Sequence, residues 1–258
     1  MPKFAANLSM LFTEIPFLDR FEAAAKAGFK GVEYIGPYDF PAAQIADLLD
    51  KHGLAQVLFN LPAGNWATGE RGIGCHPDRV GEFQDGVGKA IDYAKALGNK
   101  QINCLAGILS KDVALEKAEE TFISNLRFAA KKLKEAGILL IAEPINTYDI
   151  PGFFLNRSAQ AISIFDRVGS DNLKLQYDIY HMQRMEGELA KTIERLMPRI
   201  AHIQIAGNPN RTEPDQGEIN YPYLFALIDR LGYRDWIGAE YKPARTTVEG
   251  LGWLKKFS

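Results

Sequence analysis

Three observations predict an α/β fold, a single (β/α)8 barrel over residues 1–258. First, short apolar runs alternate with segments of helical periodicity along the whole chain. Second, Gly28, Gly53, Gly98, Gly137, Gly169 and Gly232 each fall between a helical pattern and an apolar run. A residue after a helix often needs a positive φ, which glycine adopts at no steric cost. Third, about eight strand-helix units in 258 residues match the roughly 250 residues of an eight-stranded barrel. An open doubly wound sheet is the competing architecture. Its usual glycine-rich turn after the first strand is missing, because Asn7-Leu-Ser-Met-Leu-Phe-Thr13 holds no glycine.

In order, Lys3 to Asn7 reads as a strand, and Pro16 to Ala27 as a helix with Phe17, Leu18, Phe21, Ala24 and Ala25 at helical spacing. Gly31 to Tyr34 is a strand, Ala42 to His52 a helix, and Ala55 to Asn60 a strand. A helix from Arg79 to Leu97 precedes the strand Gln101 to Cys104, and a long amphipathic helix spans Ala114 to Ala136. Leu139 to Glu143 is a buried strand that must stop there, since Pro144 cannot donate to a ladder. Helices near Ser158 to Val168, Glu188 to Leu196, Tyr223 to Leu231 and Val248 to Phe257 alternate with strands at Lys174 to Asp178, Ala201 to Gln204 and Trp236 to Glu240. No linker, charge run or low-complexity tract divides the chain, which argues for one domain.

Composition narrows the function. A net charge of -2 and a pI near 6.1 leave no basic footprint for nucleic acid. No apolar run approaches the roughly 20 residues that span a bilayer, and the N-terminus lacks the apolar core of a signal peptide. Cys75 and Cys104 are too few for a disulfide scaffold and have no metal-ligand spacing, so a reduced, cytoplasmic protein is expected. A homo-oligomer is left open.

In a parallel barrel all carboxyl ends gather at one face, where active sites lie. The predicted strand ends are Asn7, Glu33, Asn60, Asn103, Glu143, Asp178, Gln204 and Glu240, every one polar. For any one of them, polarity simply resuming at a strand end is explanation enough. That reading is weaker for Glu143, Asp178, Gln204 and Glu240 together. Converging carboxylates repel, and a hard divalent cation is the usual remedy. With the Gln204 amide as fourth ligand, the all-oxygen set suits Mg²⁺ or Mn²⁺ better than zinc. Strand alternation turns His202 and Gln204 inward together, and a lone inward histidine is more often a satisfied core residue than a ligand. His181, three residues after Asp178, is placed to hydrogen-bond a substrate oxygen.

Glu143-Pro-Ile-Asn146, Tyr177-Asp-Ile-Tyr-His181, His202-Ile-Gln204 and the terminal Glu240 resemble the xylose-isomerase-like barrels, which include ketose 3-epimerases and hydroxypyruvate isomerases. The finer resemblance is to the hydroxypyruvate isomerases. It rests on Phe4-Ala-Ala-Asn-Leu-Ser-Met10, Leu61-Pro-Ala-Gly64, Gly69-Glu-Arg-Gly72, Ile150-Pro-Gly-Phe153, Tyr180-His-Met-Gln-Arg-Met-Glu-Gly187, Gly217-Glu-Ile-Asn-Tyr221 and Glu240-Tyr-Lys-Pro243. The 2-oxo-tetronate isomerases share the first and last of these motifs. The resemblance implies a catalytic pair, Glu143 and Glu240, and a metal held by Glu143, Asp178, a residue of the seventh strand and Glu240. Related epimerases carry histidine where Gln204 stands, and an amide is the weaker ligand.

The implied reaction interconverts hydroxypyruvate and tartronate semialdehyde through an enediolate, with a base, an acid and oxyanion stabilisation. The substrate carboxylate needs cations, and Arg71, Arg211 and Lys242 are the candidates, with Asn7 at the same mouth. Leu61 to Asp78 is long for a βα connection and is a candidate to close over the ligand. A 2-oxo-tetronate isomerase or ketose 3-epimerase would use the same glutamates. A DNA-repair endonuclease on a related barrel needs a histidine-rich zinc site and a basic face, against 4 histidines and a net charge of -2 here. A non-catalytic binding barrel has no need of both acids.

Overall fold

The computed structural model describes residues 2–257, so Met1 and Ser258, the ends of the expected domain, lie outside the described residues. Eight parallel strands close into a barrel in sequence order. They are β1 (Lys3–Asn7), β2 (Gly31–Glu33), β3 (Ala55–Asn60), β4 (Gln101–Cys104), β5 (Leu139–Ala142), β6 (Leu173–Asp178), β7 (Ile200–Ile205) and β8 (Trp236–Ala239). Closure is made by β8 against β1, with Phe4 opposite Ile237 and Ala6 opposite Ala239.

The outer ring comprises α1 (Arg20–Lys26), α2 (Ala42–His52), α3 (Val80–Leu97), α4 (Leu115–Glu135), α5 (Ser158–Val168), α6 (Ile179–Met185), α7 (Leu189–Leu196), α8 (Tyr221–Arg230), α9 (Thr247–Gly250) and α10 (Gly252–Phe257). Each of the longer helices is amphipathic and turns its apolar stripe to the sheet. In α4 that stripe is Ala118, Phe122, Leu126, Ala129 and Leu133, all fully buried. Burying one such phenylalanine contributes on the order of 2 kcal/mol. The main core lies between helices and strands. A smaller cluster of Ala5, Val57, Leu58 and Ile141, packed on Leu139, Ala201 and Trp236, is separate from it.

Several boundaries differ from expectation; β7, for example, runs on to Ile205, one residue past Gln204. Residues 16–27 begin with a 3-10 turn, Phe17–Asp19, before α1. The C-terminal segment breaks at Leu251 into α9 and α10. Helix α6 is additional: β6 runs into it with no loop, because the Asp178 carboxylate accepts from Tyr180 N and His181 N at 2.7 and 3.2 Å and caps the new helix. Glu143 and Glu240 sit one residue past β5 and β8 rather than on their last residues. Glu240 N still donates to Ile205 O of β7, and both side chains line the mouth of the barrel.

Candidate active site

The strand ends assemble a cavity of about 480 Å³ at the carboxyl face of the barrel. Asn7, Arg71, Glu143, His181, Gln204, Arg211, Glu240 and Lys242 all line it. Asp178 is fully buried beside it, and Glu143, Asp178, His181 and Glu240 bring one ligand atom each to within 4.8 Å of one another. Among the sequence candidates the structure therefore leaves none stranded elsewhere.

Glu143 and Asp178 are each held by one oxygen and unpartnered at the other, whereas Glu240 is held at both. Glu143 Oε2 accepts from Asn103 Nδ2 at 3.4 Å, while Glu143 Oε1 is buried with no hydrogen-bond partner among the described residues. Asp178 spends Oδ1 on the α6 cap and leaves Oδ2 buried and unpartnered. Glu240 accepts from Asn7 Nδ2 at 3.0 Å and from Arg211 Nη2 at 2.7 Å. Buried carboxylate oxygens without partners are costly, and this is the condition a hard cation relieves. The donor set of Glu143, Asp178 and Glu240 thus fits a divalent ion of the Mg²⁺ or Mn²⁺ kind.

Gln204, the expected fourth oxygen ligand, is otherwise engaged. Its Oε1 accepts from Gln176 Nε2 at 2.6 Å and its Nε2 donates to Glu33 Oε1 at 2.6 Å. His202 donates through Nε2 to Glu33 Oε2 at 2.7 Å and is fully buried. Glu33 therefore gathers Asn7, His202 and Gln204 onto one carboxylate beneath the cavity. Its space exists because residue 238 of β8 is glycine: a Cβ there would stand 2.4 Å from both Glu33 oxygens.

Burial lifts the acids' pKa values. Glu143 is driven well above the usual carboxylate range by burial and then by the charges of Glu240 and Asp178. Burial raises Asp178 to about 6, opposed by Arg211 and two backbone N–H groups. Glu240 is raised to about 8 by burial, again opposed by Arg211. His181 is held neutral, its pKa lowered by burial and the Arg211 and Arg184 cations. For Arg211, burial alone would lower the pKa, yet Glu240, Asp178, Asp149 and Glu143 together raise it. Its backbone is left-handed, φ 55°, a conformation that costs a non-glycine residue on the order of 1 kcal/mol.

Arg71 and Trp66 form one unit at the rim, with the guanidinium 4.1 Å from the indole centre. Arg71 Nη1 donates to Trp66 O and Glu70 O at 3.1 and 2.7 Å. The expected covering segment is pinned along its second half: Gly72 N bonds Ala63 O, and Cys75 N bonds Ala106 O at 2.8 Å. Only the tip between Gly64 and Arg71 projects. Lys242 is exposed at the rim beside Arg211, whose carbonyl accepts from Lys242 N.

Sequence reasoning missed Asn146, Asp149 and Tyr180. Tyr180 Oη donates to Asp149 at 2.9 Å, and Asn146 Nδ2 donates to Asp149 Oδ2 at 3.1 Å. Asn146 and Tyr180 lie inside the quoted motifs and Asp149 just before one, but nothing in spacing or hydropathy set them apart.

Comparison with known proteins agrees with this architecture. A family model described as a xylose isomerase-like TIM barrel matches residues 21–257. A hydroxypyruvate isomerase of Escherichia coli (strain K12) is 53% identical over 257 residues, covering 100% of both chains. A 2-oxo-tetronate isomerase of Cupriavidus necator is 49% identical, covering 100% of this chain and 99% of its own. The crystal structure of an AP endonuclease, family 2 from Brucella melitensis superposes with a TM-score of 0.97 at 47% identity, covering 100% of this chain and 99% of that one.

Proposed function

The chain belongs to the xylose isomerase-like TIM-barrel family, and from that premise we propose that it is an aldose-ketose isomerase interconverting hydroxypyruvate and tartronate semialdehyde. The observation that carries this reading is the meeting of Glu143 and Glu240 in one cavity beside Arg211 and His181. Hydroxypyruvate must lose a proton from its hydroxymethyl carbon and regain one at the neighbouring carbon, while the hydroxyl proton passes from the hydroxymethyl oxygen to the former keto oxygen. Glu240, kept closer to ionisation by its Arg211 bond, takes the first proton. Glu143, whose pKa burial and the neighbouring carboxylates raise, returns one to the other carbon. In the reverse direction the roles exchange.

The His181 ring and the Arg211 guanidinium face the enediolate oxygens and donate to them, the interaction that contributes most in reactions of this kind. Arg71, with Lys242 nearby at the rim, receives the carboxylate, and Asn7 orients Glu240. Glu143, Asp178 and Glu240 would hold a Mg²⁺ or Mn²⁺ ion, joined by Gln204 only if it releases Gln176. Such an ion, when bound, supplies Lewis-acid stabilisation of oxyanion charge.

The Cupriavidus relative favours a second substrate, a four-carbon 2-oxo-tetronate. The endonuclease reading of the Brucella relative is not carried over, because the ligand cluster found among the described residues has one histidine and three carboxylates. The test is an NMR assay of purified protein with hydroxypyruvate and with 2-oxo-tetronate, before and after chelation and with Mg²⁺ or Mn²⁺ restored. Glu143→Gln and Glu240→Gln should each lower kcat by about 10²–10⁴-fold. Variants that retain full speed would end the proposal.

A further inference from the structure

Asn146 is fully buried in the β5–α5 connection and makes four polar contacts. Its Oδ1 accepts from the backbone N–H groups of Tyr148 and Asp149 at 3.0 and 2.8 Å. That turn fixes which end of the amide faces the cavity. Nδ2 is left with two hydrogens, and it places them on Asp149 Oδ2 at 3.1 Å and on His181 Nδ1 at 2.6 Å. An imidazole nitrogen that accepts carries no proton, so in neutral His181 the proton must sit on Nε2. Nε2 in turn points at the unpartnered oxygens of Asp178 and Glu143, 3.6 and 3.8 Å away.

We propose that Asn146 is a positioning residue that locks His181 in the Nε2–H tautomer, making it a hydrogen-bond donor to the substrate and withholding it from the metal-ligand set. This rests on the isomerase reading above for the identity of the acceptor, but not for the tautomer. Proximity alone places His181 with the three carboxylates, within 4.8 Å. Proton placement separates it from them, since an N–H cannot ligate a cation. Arg211 Nη2 lies 3.3 Å from the same Nε2, but a neutral ring has one accepting nitrogen, and the 2.6 Å contact from Asn146 is far shorter. Asp149 completes the device: it accepts from Asn146, and Tyr180 Oη donates to it, so the amide has no freedom to rotate.

The test is long-range ¹H–¹⁵N correlation NMR on the full chain with ¹⁵N-histidine. The His181 signals among the 4 histidines are assigned by their loss in His181→Gln. The wild type should show a protonated Nε2 and a bare Nδ1, unchanged by saturating Mg²⁺. Asn146→Asp, whose carboxylate can only accept, should reverse the tautomer, and Asn146→Ala should show both. Each should lower kcat about 10²-fold, as expected for a misdirected donor. A wild-type Nδ1–H tautomer, a coordination shift of Nε2 on adding Mg²⁺, or an unchanged tautomer in Asn146→Asp would each overturn the lock. The wild-type spectrum decides even where a variant does not fold. An Nε2–H protein that turns over neither hydroxypyruvate nor 2-oxo-tetronate would uphold the lock and refute the substrate reading.

Discussion

Gly238→Ala tests whether the buried Glu33 carboxylate organises the mouth of the barrel. Gly238 pairs with Ala5 and Gln204, and its backbone is an ordinary strand conformation, so alanine is opposed by space alone. The new methyl would meet both Glu33 oxygens at 2.4 Å, whereas real contacts of this kind stay above 3.0 Å. Glu33 must retreat by at least 0.6 Å, and its bonds from Gln204, His202 and Asn7, now 2.6, 2.7 and 3.1 Å, cannot all follow. Losing two bonds to a carboxylate, at about 1.5–3 kcal/mol each, predicts a destabilisation of about 3–6 kcal/mol. At roughly 2–4 °C per kcal/mol for a chain of this size, Tm should fall by about 10 °C. Activity should fall too, because Asn7 also bonds Glu240. Differential scanning calorimetry and steady-state kinetics read both. Shortening the acid with Glu33→Asp should restore part of the loss, and a single variant with Tm within about 2 °C of wild type and unchanged kcat would refute the argument.

Two further outcomes follow from the same geometry. The raised pKa values of Asp178 and Glu240, to about 6 and about 8, mean that the folded state without a cation binds protons more tightly than the unfolded chain. The stability they contribute is complete below their unfolded pKa and lost as pH rises through the folded values, so chelated protein should weaken by a few kcal/mol between about pH 4 and pH 8. Urea titration with and without Mg²⁺ should show a gap that widens with pH; a constant gap would contradict it. Arg71→Ala should raise KM about 10–100-fold with a smaller change in kcat, the worth of one charge-assisted contact, and an unchanged KM would remove Arg71 from substrate binding.

Much of the scaffold was legible because punctuation and periodicity coincide. Gly53 closes α2 and Gly169 closes α5 in left-handed geometry, and both helices have the predicted limits. Helix α6 was not legible, since the residue that ends β6 also starts the helix and no turn residues separate them. The acids of the site could be found because a strand seldom ends on a carboxylate. Their supporting contacts could not: Glu33 meets His202 only when the barrel closes, 169 residues apart in sequence. Gln204 illustrates the same limit, because its position was readable and its partners Gln176 and Glu33 were not.

Asp178 stands where scaffold and chemistry share a single functional group. One of its oxygens starts the helix that carries His181, and the other looks toward the reacting space. Glutamate would keep the charge but lose the reach that seats the helix, and alanine would forfeit both. Asparagine would preserve the seat while removing the charge. At this position, then, the architecture narrows the tolerable alphabet before any demand of turnover is felt.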